Sequence, residues 1–116
     1  MIDIDYQSRT PIYVQIVNEI EKCIIHGKLK PEDQMPSIRE LASELGINPN
    51  TVKKSYSELE NKNIIRSVST KGTFITSKIE EIVQNKIKTT FANMQQEVDE
   101  LKMLGFSLEE IKERIK

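Results

Sequence analysis

Apolar and polar positions follow a helical period over most of the chain. Tyr13, Ile16, Val17, Ile20 and Ile24 recur at spacings of one to four residues that fall on one face, which predicts a first helix. Thr10 is its expected cap, Pro11 its expected first helical position, and Gly27 its end. Leu29 to Pro36, with two prolines around two acids, reads as a connector. A second helix opens at Ser37, where Glu40 completes a capping box, and Ile38, Leu41, Ala42 and Leu45 form its inner face up to Gly46. Asn48-Pro49 starts a third helix that runs to about Asn61, with Val52, Tyr56 and Leu59 on one side. Ile64-Ile65 and Thr73-Phe74-Ile75 are short strand-like runs, and the polar stretch from Arg66 to Gly72 reads as the hairpin between them.

The pattern then changes to one long helix, from about Lys78 to Leu104. Ile87, Phe91, Met94, Val98 and Leu101 alternate spacings of four and three, a heptad-like stripe. These five residues form a helix-packing surface, either within the chain or across a homodimer; the dimer is the favoured expectation, because a lone helix has little else to cover such a stripe. Gly105 stops the helix. Ser107 and Glu110 cap a last short one, with Phe106 and Ile111 placed as a hydrophobic staple.

The second and third helices read as a helix-turn-helix. Such a motif needs a small residue where the helices touch, a turn residue, and apolar anchors on both sides. Ala42, Gly46, and Leu41, Leu45, Ile47 and Val52 fill these roles. On the third helix Asn50, Lys53, Lys54 and Ser57 gather opposite the apolar side, with no acid among them. Side chains of these types reach base edges and phosphates in a major groove.

Charge complicates this reading before it supports it. The 116-residue chain has a net charge of −1, which does not announce a nucleic-acid binder. Between Asn48 and Gly72, however, five cations (Lys53, Lys54, Lys62, Arg66 and Lys71) face two acids, a local charge of +3. Phosphate contacts need a local patch of this kind. One cysteine, Cys23, cannot form an internal disulfide and reads as core packing beside the first apolar face. The acidic start of the chain lacks a signal-peptide layout and no apolar run is long enough to span a membrane, so the expected location is the cytoplasm. One histidine, His26, reads as a last-turn cation or a neutral surface group; a metal site needs several ligands, and with one His and one Cys most catalytic constellations cannot be assembled. Neither an enzyme nor a cofactor is expected. Tyr56 reads as core, with a hydroxyl that could reach a phosphate.

At this point the residues resemble a known family. Leu29-Lys30-Pro31, Met35 to Ala42, Leu45-Gly46, Asn50-Thr51-Val52, Leu59-Glu60 and Gly72 to Ile75 are similar to the GntR family of bacterial transcription regulators. The resemblance implies a winged helix: three helices plus a two-stranded wing. Residues 76–116 are too few for the usual effector domain. Together with Ile47 to Thr51, they resemble the YtrA-type subfamily, whose short helical tail mediates dimerisation. Carried over residue by residue, the resemblance implies a phosphate or guanine contact for Arg39, DNA contacts for Thr51 and Lys53, and a wing-tip role for Gly72. Pro49 stands where many members have a base-reading arginine, and Thr70 where they have a first wing glycine.

The expected fold is therefore mainly α with a small β-hairpin: a winged helix-turn-helix domain, 1–77, followed by a two-helix dimerisation tail, 78–116. The expected DNA-facing residues are Arg39, Asn50, Thr51, Lys53, Lys54, Ser57, Lys71 and Gly72. The expected function is a homodimeric regulator, a repressor, on an inverted-repeat operator in double-stranded DNA. An alternative is a winged-helix adaptor that contacts protein; it explains the neutral total charge but not the local cations. A small-molecule effector, if the family's sensing role extends here, has no separate domain to bind.

Overall fold

The computed structural model describes residues 2–116. Its elements are α1 (Ile12–Ile25), β1 (Gln34–Met35), α2 (Ile38–Leu45), α3 (Pro49–Asn61), β2 (Ile65–Val68), β3 (Gly72–Ile75), α4 (Ile79–Met103) and α5 (Leu108–Arg114). They group into two compact units, Met1–Ile82 and Val83–Lys116.

In the first unit α1, α2 and α3 enclose a core with one face of the sheet. Ile16, Val52, Ser55, Leu59 and Ile75 are wholly inaccessible, and Ile20, Leu41, Ala42, Ile65 and Ile79 nearly so. The residues expected on the face of α1 are buried, except that Tyr13 is only half-buried; Cys23 joins them. Both helix-turn-helix termini form as local chemistry dictates. Ser37 Oγ accepts from the Glu40 amide at 3.0 Å, and the Glu40 carboxylate accepts from the Ser37 amide at 3.0 Å. Gly46 takes the left-handed conformation (φ 67°), and the Ile47 amide closes on the Ala42 carbonyl, so α2 ends in a Schellman turn. Asn48 Oδ1 accepts from the Asn50 amide at 2.8 Å and caps α3, with Pro49 in its first turn.

Three details differ from expectation. Pro11 is not the first helical residue. Its φ of −54° suits a helix, but its ψ of 145° is extended, and α1 begins one residue later. No side chain caps it; instead Gln15 reaches back to the backbone of Asp5 and Thr10 and holds the entering chain. Second, the connector is not structureless. Gln34 and Met35 pair antiparallel with Phe74 and Thr73, so the sheet has three strands in the order β1-β3-β2. Burial of Met35 rewards this pairing. Third, the hairpin connection is shorter than Arg66 to Gly72. Pairing of β2 with β3 persists to Val68 and Gly72, leaving Ser69, Thr70 and Lys71 as the loop.

In the second unit α4 ends at Met103, and Gly105 (φ 101°) turns the chain just beyond it, where the Phe106 amide bonds the Leu101 carbonyl. Ser107 and Glu110 form the expected capping box of α5. Phe106 and Ile111 take the staple positions, and Ile111 is buried. The Arg114 guanidinium lies 4.9 Å from the Phe106 ring centroid. Of the stripe on α4, Ile87, Phe91 and Met94 are exposed at 43%, 63% and 51%. Val98 and Leu101 are half-covered. No helix among the described residues is long and apolar enough to cross a membrane.

Candidate nucleic-acid interface

The side of α3 opposite Val52, Ser55, Tyr56 and Leu59 carries Asn50, Lys53, Lys54 and Ser57, all exposed. What fixes its orientation is polar as well as apolar. Tyr56 is 5% exposed, and its hydroxyl donates to the Pro36 carbonyl at 2.6 Å, tying α3 to the residue before the α2 cap. Burial, and secondarily the Glu40 carboxylate, push its ionisation upward, so the group stays a neutral donor. The hydroxyl is thus occupied inside the protein rather than offered to a phosphate. On the other flank Ser55, wholly buried, donates to the Tyr13 carbonyl at 3.0 Å with the Thr51 carbonyl at 3.2 Å. A small polar residue lets α1 and α3 approach there. Ser55 was not singled out in the sequence; a serine in the apolar period of α3 was the available signal.

The expected residues are not equivalent in this arrangement. Arg39 is exposed on α2, and Lys71 and Gly72 are exposed at the wing. Thr51 is only half-exposed, and its carbonyl lies within reach of the Ser55 hydroxyl. The Lys54 ammonium lies over the Tyr13 ring, 4.0 Å from its centroid, and so leans toward α1. Gly72 has φ 118°, and a Cβ there would meet Gln34 Nε2 at 2.8 Å. The same Gln34 amide donates to the Lys71 carbonyl at 3.2 Å. Gly72 therefore has a wing-building role whatever it touches outside.

The local charge of +3 overstates what faces outward. Lys62 is paired with Glu21 at 3.2 Å. Arg66 is paired with Glu32 at 2.7 Å and lies 5.8 Å from the ring of Phe74, its cross-strand partner. Such surface pairs contribute only about 0–1 kcal/mol each, but they fix where the cations point. Arg39, Lys53 and Lys71 have no acid within ion-pairing distance among the described residues. No cluster of three or more potential metal ligands occurs among the described residues.

A three-helix unit with a helix-turn-helix and an antiparallel wing defines a winged-helix DNA-binding protein. The model of the bacterial regulatory proteins of the gntR family matches residues 12–75, and the chain belongs to this family, in its YtrA-type branch. It is 38% identical over 117 residues to the HTH-type transcriptional repressor YtrA of Bacillus subtilis, covering all of this chain and 90% of that protein. Among solved structures it is similar to a transcriptional regulator from Oenococcus oeni, with TM-score 0.76 and 35% identity over 97% of this chain and 94% of that one. It is also similar to the DNA-binding domain of AraR in complex with operator ORR3, with TM-score 0.56 and 28% identity over 64% of this chain and 89% of that one. The family consists of transcription regulators, not enzymes.

Proposed function

We propose that this regulator is a homodimeric repressor that binds an inverted-repeat operator. In this reading residues 1–77 carry the DNA contacts and residues 78–116 join two copies. Asn50, Lys53 and Ser57 enter a major groove. Arg39 and Lys54 hold phosphates, Thr51 supports the start of α3, and Lys71 and Gly72 bring the wing to the backbone. The observation that carries the DNA reading is the exposed quartet Asn50, Lys53, Lys54 and Ser57 on the first turns of α3, a set that contains no acid, flanked by Arg39 and Lys71, which have no acid within ion-pairing distance among the described residues. The repressor sign follows the similarity to the repressor YtrA.

The dimer is supported by the exposure of Ile87, Phe91 and Met94 in a two-helix unit whose own core is little more than Ile111. Two-fold symmetry would present two α3 helices to inverted half-sites about 34–36 Å apart.

The test is a mobility shift on the chain's own promoter against a scrambled duplex, with light scattering on the same protein. Lys53→Ala is expected to abolish the preference for the promoter while the fold is retained. Phe91→Glu is expected to give a monomer whose affinity falls at least tenfold. Unchanged promoter preference in Lys53→Ala sinks the groove assignment, and a monomeric wild type sinks the dimer.

A further inference from the structure

Lys53 and Lys54 are adjacent and chemically identical, yet the structure separates them. Successive residues leave a helix about 100° apart. Lys53 lies one turn before Tyr56, whose hydroxyl bonds Pro36, so it emerges on the α2 side. Lys54 adjoins Ser55, whose hydroxyl bonds the Tyr13 carbonyl, so it emerges on the α1 side. There its ammonium sits 4.0 Å from the centroid of the Tyr13 ring. That ring is half-buried, and no described residue hydrogen-bonds its hydroxyl. A lysine stem is flexible and loses rotamer freedom when ordered. A ring that orders it beforehand removes part of that loss from the binding step.

We propose that Tyr13 is a positioning residue for DNA binding. Its ring holds the Lys54 ammonium on the α1 flank of α3, against the sugar–phosphate backbone, and leaves Lys53 alone of the pair to read bases. The inference rests on the DNA-binding reading above and assigns the two lysines opposite tasks. Lys54 supplies attraction that is independent of sequence and sensitive to salt. Lys53 supplies discrimination. The cation–ring contact at such an exposed site corresponds to about two- to fivefold in affinity.

The test uses the full chain, its own promoter duplex and a scrambled duplex, over a salt series. Lys54→Ala is expected to weaken both duplexes by the same factor and to flatten the slope of log affinity against log salt by about 0.9 per protomer. Tyr13→Leu is expected to weaken both about two- to fivefold, and the double variant to match Lys54→Ala alone. Tyr13→Phe keeps the ring and is expected to bind as wild type. In DNA-free protein, the Lys54 ε-methylene protons are expected upfield in wild type and Tyr13→Phe, and at ordinary positions in Tyr13→Leu.

Additive effects of Tyr13→Leu and Lys54→Ala overturn the proposal. So does a Tyr13→Phe variant as weak as Tyr13→Leu, which would make the hydroxyl itself the contact, or a Lys54→Ala loss confined to the promoter duplex. Should Tyr13→Leu not fold, the absence of the ring shift in wild type is by itself refuting. A wild type that binds neither duplex removes the DNA reading as a whole, whereas binding without coupling removes only this inference.

Discussion

The sharpest stability test lies at the tip of the wing. Thr70 has φ 64° in the four-residue turn closed by the Lys71 amide on the Val68 carbonyl at 3.0 Å. Its place in the turn is the third, where a positive φ is usually supplied by glycine. An L residue with a branched Cβ is strained there by about 1–2 kcal/mol. The side chain is exposed, so replacing it sacrifices no packing. Glycine would relieve the strain but return roughly 0.5–1 kcal/mol of freedom to the unfolded chain. The net expectation for Thr70→Gly is a gain of about 0.5–1 kcal/mol. For a domain of this size that is a rise of roughly 2–8 °C in melting temperature. Urea and thermal unfolding followed by circular dichroism would measure it, with an unchanged m-value as the check that the unfolded state is comparable. Thr70→Ala retains Cβ and should fall between wild type and glycine. A glycine variant no more stable than wild type would refute the reasoning.

Two further outcomes follow from the buried and capping groups. Tyr56→Phe removes the hydroxyl that holds the Pro36 carbonyl at 2.6 Å and should lose about 1–2 kcal/mol by urea unfolding; an unperturbed variant would mean that apolar packing alone fixes α3. The Glu40 and Glu110 carboxyls are held below their ordinary value of 4.5, chiefly by the backbone and side-chain hydrogen bonds of Ser37 and Ser107. A lowered folded-state value means stabilisation that is present above the unfolded value and is lost as pH falls through the folded one. Unfolding measured between about pH 6 and pH 3 should therefore show an acid loss that is smaller in Glu40→Gln, whose amide oxygen still accepts from Ser37; identical pH profiles would count against the capping account.

What could be read from the sequence was local. The boxes at Ser37–Glu40 and Ser107–Glu110, the Asn48 cap and the Gly46 and Gly105 stops each depend on residues within a few positions, and all appear as read. What could not be read was set by partners far along the chain. A strand of two residues has no period of its own, so β1 exists only because β3 offers Thr73 and Phe74. The charge between Asn48 and Gly72 looked richer than it is because Glu21 and Glu32, which engage Lys62 and Arg66, lie before α2. The spacing of α3 put Lys54 with the outward residues, and only Tyr13, on another helix, draws it aside. The helix-turn-helix was thus legible as a motif, while the tasks of its neighbouring lysines were not.

The third strand bears on how such regulators can be re-engineered. Because Gln34 and Met35 pair with β3, and Gln34 also holds the Lys71 carbonyl, the wing shares its footing with the approach to α2. A wing is therefore not a cassette that can be cut out between Ile64 and Thr76. Its natural module is split, one piece before the helix-turn-helix and one after. A hairpin transplanted from a relative without its own connector would arrive on a foundation shaped for a different turn.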